Sequence, residues 1–175
     1  MAAAQKASRR PSRKKPAVHP RYTVDASVFV NAFNPHEDGH AESLAILAAI
    51  QEHGDPVIVP TLLLPEIASA VARASDDSAG AVQYADATAG LPHLTIVTLT
   101  SAIARQAAGL AALHRLRGAD SVYVGVAHRY GTTLVTRDDE QRSRAAAVIP
   151  CQTPEEALRT RQLPKRKTRS EDRKA

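Results

Sequence analysis

The chain has 175 residues, 43% of them hydrophobic, which is the size and composition of one domain able to bury a core and excludes a disordered chain. Its lone cysteine, Cys151, rules out an internal disulfide and a thiolate zinc cluster and suits a reducing, cytoplasmic setting. The net charge of +5 is unevenly spread: residues 1–20 carry six Lys/Arg and no acid, residues 159–175 eight Lys/Arg and two acids, and residues 21–158 nine basic against sixteen acidic residues.

Taken in chain order, Tyr22–Val24 reads as a short strand ending at Asp25, and Ser27–Phe33 as a short helix stopped by Asn34-Pro35. Glu42–His53 has helical apolar spacing and ends at Gly54. Val57–Val59 is a β-branched run between prolines, hence a strand. Thr61 is placed to cap a helix through Glu66 to Arg73, with Pro65 in its first turns. Ala79–Ala89 continues as helix, Leu94–Leu99 as strand, and Thr100–Arg117 as a long helix stopped at Gly118. Asp120 opens a further helix to about Arg129, Gly131 ends it, and Thr132–Thr136 is a strand. Ala147–Ile149 is the last strand expected. Thr153-Pro154-Glu155-Glu156 is a capping box with proline at the first helical position. Short strands alternating with helices imply parallel pairing through right-handed crossovers, an α/β fold.

The expected organisation is a basic disordered tail over 1–20, one folded domain over 21–158 and a basic C-terminal tail over 159–175. Tails of this kind can touch nucleic-acid phosphates or simply keep a protein soluble. The first 20 residues have no apolar stretch for a secretory signal. Their Ser/Arg-rich, acid-free composition also describes a transit peptide, but Pro11, Pro16 and Pro20 and the lack of an amphipathic pattern favour a plain tail. No apolar run approaches the roughly 18 residues of a membrane helix, so no membrane role is expected.

Four acids stand where an apolar run ends or a helix begins: Asp25, Glu66, Asp120 and Asp138. An apolar run ending in Asp delivers a carboxylate to the carboxyl edge of a parallel sheet, where open α/β folds bind ligands. Carboxylates gathered there raise one another's pKa unless a cation sits among them. Hard oxygen donors suit Mg²⁺ or Mn²⁺, which points to a metal-dependent enzyme acting on phosphates. Singly, each acid has a structural reading: Asp25 and Asp120 as helix caps, Glu66 as a solvated helix residue, Asp138-Asp139 as a turn. Glu66 differs in lying among Leu62, Leu63, Leu64 and Ile67, where an unpaired buried acid is costly. There is no P-loop and no GxGxxG, and Asp25-Ala26-Ser27 lacks the second acid of an Asp-x-Asp phosphatase. The seven histidines are scattered; His36 and His40, beside Pro35 and Gly39, read as loop residues rather than a metal pair.

The stretches VDASVFVNAF (24–33), LLLPEIASAVAR (62–73) and LRGADSVYVGVAHRYGTTLVTRDDEQ (116–141) resemble, in order and spacing, the PIN-domain nucleases, and among them the VapC-type toxins of toxin–antitoxin pairs. The resemblance covers residues 21–158 and implies a PIN-like three-layer fold, a short central parallel sheet flanked by helices. It implies that Asp25, Glu66, Asp120 and Asp138 are both catalytic residues and ligands of Mg²⁺ (or Mn²⁺). Thr136 and Ser27 match the hydroxyl positions that support them, and Asp139 is left as an outer candidate. The implied activity is metal-dependent endoribonuclease cleavage of RNA, with a homodimer and a cognate antitoxin as partners. A housekeeping PIN nuclease in RNA processing and a catalytically inactive PIN binding module are the alternatives. With six aromatic residues, three of them (Tyr22, Phe29, Phe33) at core-like positions, no base-stacking platform is expected. RNA contact is expected from Arg129, Arg137, Arg142, Arg144 and the tails. His114, Arg115 and Arg117 read as cations at a helix C-terminus, with an RNA-facing rim as the other possibility.

Overall fold

The computed structural model describes residues 20–162; the remainder of the two tails lies outside the described residues. Among these residues the strands are β1 (Tyr22–Val24), β2 (Val57–Pro60), β3 (Leu94–Val97), β4 (Thr133–Val135) and β5 (Cys151–Gln152). They form one parallel sheet in the order β3-β2-β1-β4-β5. The helices are α1 (Ala26–Phe33), α2 (His40–His53), α3 (Leu63–Ser75), α4 (Ser78–Ala89), α5 (Ser101–His114), α6 (Gly118–Tyr130), α7 (Asp139–Ala145) and α8 (Pro154–Gln162). Each step between sequential strands passes through at least one helix, as parallel pairing demands.

The central strand β1 is buried along its whole length, so its three residues carry no outward polar face. Thr23 is accommodated because its Oγ1 donates to the Ile58 carbonyl at 2.8 Å and lies 2.6 Å from Thr132 Oγ1. Helix α6 packs on β1, β2 and β4, and every residue from Ser121 to Ala127 is buried. A helix covered all round is a core helix, so its N-terminal turn is held in place by packing. Helix α5 packs on α6, α3 on α4, and α1 on α2 and α3, so helices flank the sheet. Helix α8 packs on α2 and is pinned by an ion pair between Arg161 and the buried Asp55 at the entrance to β2.

From β1 the chain builds outward through β2 and β3, then returns to build β4 and β5 on the other side. The reversal falls between β1 and β4, whose registers pair Val24 with Val135. The amide of Asp25 closes the edge by donating to the Val135 carbonyl at 2.9 Å. In sheets of this kind the crevice at such a switch point, beyond the carboxyl ends of the strands, is where ligands bind.

Several local expectations are corrected. Ala147–Ile149 is a turn, and the last strand is Cys151–Gln152. The apolar run was a core signal instead: Ile149 is buried, and the amides of Val148 and Ile149 both bond back to Ala145. The polar segment Asp139–Ala145 is a helix, capped by Asp138, with acids in its first turn and arginines in its last. The long helix stops at His114, with Arg115 left-handed at φ 56°, and Arg117 occupies the N-cap position of α6 rather than a helix C-terminus. Thr61 does not cap α3; its Oγ1 accepts from the Leu99 amide at 3.3 Å. The capping box of α8 forms reciprocally, Thr153 N to Glu156 Oε2 at 2.9 Å and Glu156 N to Thr153 Oγ1 at 3.2 Å.

Candidate active site

Each of the four acids reaches the switch point from a different element. Asp25 follows β1 and caps α1, its Oδ1 accepting from the Ser27 amide at 2.9 Å. Glu66 lies in the first turn of α3, and Asp120 in the first turn of α6. Asp138 follows β4 and caps α7, accepting from the Gln141 amide at 2.9 Å. For Asp25 and Asp138 the capping and site readings are both true, because a cap at the end of a parallel strand faces the sheet edge. Asp25, Glu66 and Asp120 line one open cleft of about 720 Å³, together with Ser27, Ser69, Arg73 and Arg117. Asp138 stands beside it, close enough for its charge to act on Asp25 and Asp120.

The electrostatics follow from burial and mutual repulsion. Burial pushes the Asp25 carboxyl above its ordinary pKa; hydrogen bonds from Ser27 and Gln141 oppose this, and the Asp138 charge adds to it. Glu66 is raised by burial, against the Tyr123 hydroxyl, and further by Asp25 and Asp120. Asp120 is pushed up to about 6 by burial and by Asp25 and Asp138, with Arg117 opposing. The cleft therefore under-compensates its own negative charge, the condition that a bound cation relieves.

A ring of neighbours holds these carboxylates. Tyr123, 1% exposed, donates its hydroxyl to Glu66 Oε2 at 2.6 Å. Gln141, equally buried, donates Nε2 to Asp25 Oδ2 at 3.3 Å while its amide bonds Asp138, so one residue ties the two strand-end acids. Thr136 Oγ1 accepts from the Asp138 amide at 3.1 Å, and Ser27 Oγ from the Arg137 amide at 3.2 Å. These are the two hydroxyl positions singled out in the sequence. Arg117 Nη1 bonds Asp138 Oδ2 at 3.0 Å, and its other amino group pairs with Glu140 at 2.5 Å. Asp139 points away, exposed and paired with Arg142 at 2.9 Å. His36 lies in a loop, and His40 opens α2 with Nδ1 3.0 Å from the Asn31 carbonyl.

Sequence reasoning passed over Tyr123, Gln141 and Arg73. A signal existed for Tyr123, three residues after Asp120 and so on the same helix face. Arg73 had one too, seven residues after Glu66. Gln141 had none, because the helix that carries it was not foreseen. Of the arginines expected to meet RNA, Arg142 and Arg144 are engaged in ion pairs and Arg137 donates to the carbonyls of Asp38 and Gly39.

The donor set is one of hard carboxylate oxygens, which fits a divalent cation in kind. The oxygens are neighbours rather than a closed cage: among the described residues no three His, Cys, Asp or Glu side chains stand together closely enough to enclose an ion.

A family model described as "PIN domain" matches residues 22–147. The chain belongs to the PIN-domain family. Among solved structures, the PIN fold here is similar to VapBC2 from Rickettsia felis bound to a DNA fragment from their promoter, with 17% identity, 76% of this chain and 98% of the other covered, and a TM-score of 0.59. It is similar to the sarcin-ricin loop cleaving toxin VapC20 from Mycobacterium tuberculosis, with 18% identity, coverage of 74% and 95%, and a TM-score of 0.60. PAE2754 from Pyrobaculum aerophilum gives 19% identity, coverage of 83% and 96%, and a TM-score of 0.58. At these identities the likeness speaks for the fold. No curated protein matches the chain. No helix among the described residues is long and apolar enough to cross a membrane.

Proposed function

We propose that this PIN domain is a divalent-metal-dependent endoribonuclease, the toxin of a toxin–antitoxin pair. The observation that carries the reading is the meeting of Asp25, Glu66 and Asp120 in one cleft at the switch point, with Asp138 alongside and their mutual repulsion only partly offset by Arg117. Asp25, Glu66, Asp120 and Asp138 would hold Mg²⁺ or Mn²⁺. When bound, such an ion neutralises phosphate charge and makes water more acidic. Asp25, fixed by Ser27 and Gln141, and Glu66, fixed by Tyr123, keep their oxygens aimed into the cleft. Asp120 reaches the same cleft from the first turn of α6, and one of these carboxylates could also accept a proton from the attacking water. The toxin assignment is supported by the company the fold keeps: VapBC2 and a toxin-antitoxin complex from Klebsiella pneumoniae are among the similar structures. A cognate antitoxin and a second copy of the chain are the partners proposed with it. The basic ends of the chain favour one other reading, a PIN nuclease of RNA processing.

The test is cleavage of total RNA in Mn²⁺ or Mg²⁺ by wild type, by Asp25→Ala and by wild type in EDTA. Discrete fragments are expected from the first alone. Intact RNA in every lane, from folded protein free of antitoxin, overturns the nuclease reading. Growth arrest on induction, lost with Asp25→Ala, separates a toxin from a processing enzyme.

A further inference from the structure

The cleft has a cation to spare, and it sits on α3. Glu66, Ser69, Ala70 and Arg73 all line the cleft, and their spacing of three, four and seven residues is one face of a helix. At the helical rise, Arg73 stands about 10 Å along the axis from Glu66. That backbone offset, with the guanidinium reaching back to Ser69, suits a phosphate next along the strand from one held at the acids. Arg73 is exposed, and its polar partner among the described residues is Ser69 Oγ, to which Nη1 donates. Because Ser69 accepts this bond, its own hydroxyl hydrogen is free to donate outward. The other arginine lining the cleft, Arg117, is committed to Asp138 and Glu140, and outside the cleft Arg142 pairs with Asp139 and Glu156 and Arg144 with Glu140. The setting is acidic, with sixteen acids against eleven arginines and no lysine over residues 20–162. A polyanion entering this cleft needs a local cation, and a guanidinium offers a forked pair of donors to phosphate.

We propose that Arg73, with Ser69, forms a subsite for a backbone phosphate of single-stranded RNA flanking the one at the acids. The inference rests on the nuclease reading for its substrate class and adds where the strand runs: from the switch point along α3. Arg73 here is a substrate-positioning residue, and its place in the last turn of α3, where a cation also suits the helix dipole, is the structural role to be told apart.

The experiment is binding of a labelled single-stranded oligoribonucleotide, in EDTA and again in Ca²⁺, across low to moderate salt. Wild type is compared with Arg73→Gln, Arg73→Lys and Arg105→Gln, the last removing an equal charge from α5 outside the cleft. Arg73→Gln is expected to weaken binding several-fold and to reduce the slope of log affinity against log salt by about 0.7, the value for one phosphate contact on a single strand. Arg73→Lys should keep the slope, and Arg105→Gln should leave it unchanged. Equal losses from Arg73→Gln and Arg105→Gln, or no loss from Arg73→Gln, overturn the proposal, as does a wild type that binds no RNA in either buffer. A protein that binds through Arg73 yet cleaves nothing would keep this inference and remove the nuclease reading; cleavage with binding indifferent to Arg73 would do the reverse.

Discussion

Asp120 shows how a carboxylate of the cleft works against the fold that holds it. In the folded chain its pKa is raised to about 6, first by burial and then by Asp25 and Asp138. An unfolded aspartate titrates near 3.9. The folded state therefore binds this proton more tightly, so the stability it contributes is whole below about pH 4 and is lost as pH rises through about 6. Asp25 and Glu66 are raised in the same direction and add to the trend. Asp120→Asn removes the repulsion without changing shape. In EDTA the variant is expected to melt above wild type at neutral pH, with the gap closing as pH falls below about 4. Mn²⁺ should raise the wild-type midpoint and leave the variant nearly unmoved, the pattern of a stability cost kept for function. Identical melting curves for the two proteins across this pH range would sink the argument. The four acids were legible in the sequence because each follows an apolar run or opens a helix. The side chains that aim them were less so: Tyr123 was marked only by its place three residues after Asp120, its bond to Glu66 spanning 57 positions, and Gln141 reaches Asp25 across 116 with no local pattern at all.

At the scale of elements, hydrophobic period marked most strands and helices correctly and failed where it was asked about polarity alone. Helix α7 has the sequence DEQRSRA, which offers little apolar stripe, yet its ends obey capping and dipole rules and Gln141 and Ala145 are its buried side. Ile149 shows the converse, an apolar residue buried from a turn. A tertiary staple tests how the elements are held. Arg137, directly after Thr136 at the end of β4, bonds the Asp38 carbonyl at 2.6 Å and the Gly39 carbonyl at 3.4 Å, fastening the link between α1 and α2 beside the site. Gly39 permits this twice over: it is left-handed at φ 74°, and a Cβ there would collide with the Arg137 guanidinium. Gly54, left-handed at φ 63°, has open space around it. Gly54→Ala should therefore cost only the backbone term, about 1 kcal/mol. Gly39→Ala should cost more, because Arg137 must also move. Urea midpoints measure the difference, and equal losses at the two glycines would show that the staple contributes nothing.

At the scale of the whole molecule, charge is divided between parts. The stretch 21–158 carries nine basic and sixteen acidic residues, while the stretches 1–20 and 159–175 are each net +6. A cleft lined by carboxylates makes its own domain repel a polyanion, and the positive charge of the basic ends opposes that repulsion. If RNA is the substrate, removing residues 1–19 should lower its affinity and flatten the salt dependence, since six Lys/Arg are lost with no acid. The melting temperature and the rate at saturating RNA should stay as in the full chain, because the acids, Tyr123 and Gln141 all lie within residues 25–141. The separation is the point of the measurement. A fall in binding with the saturated rate intact assigns the N-terminal arm to capture and the switch-point cleft to chemistry. A fall in the saturated rate would mean that the arm reaches the site itself, and unchanged binding at low salt would leave Arg73 and the cleft to hold the strand alone.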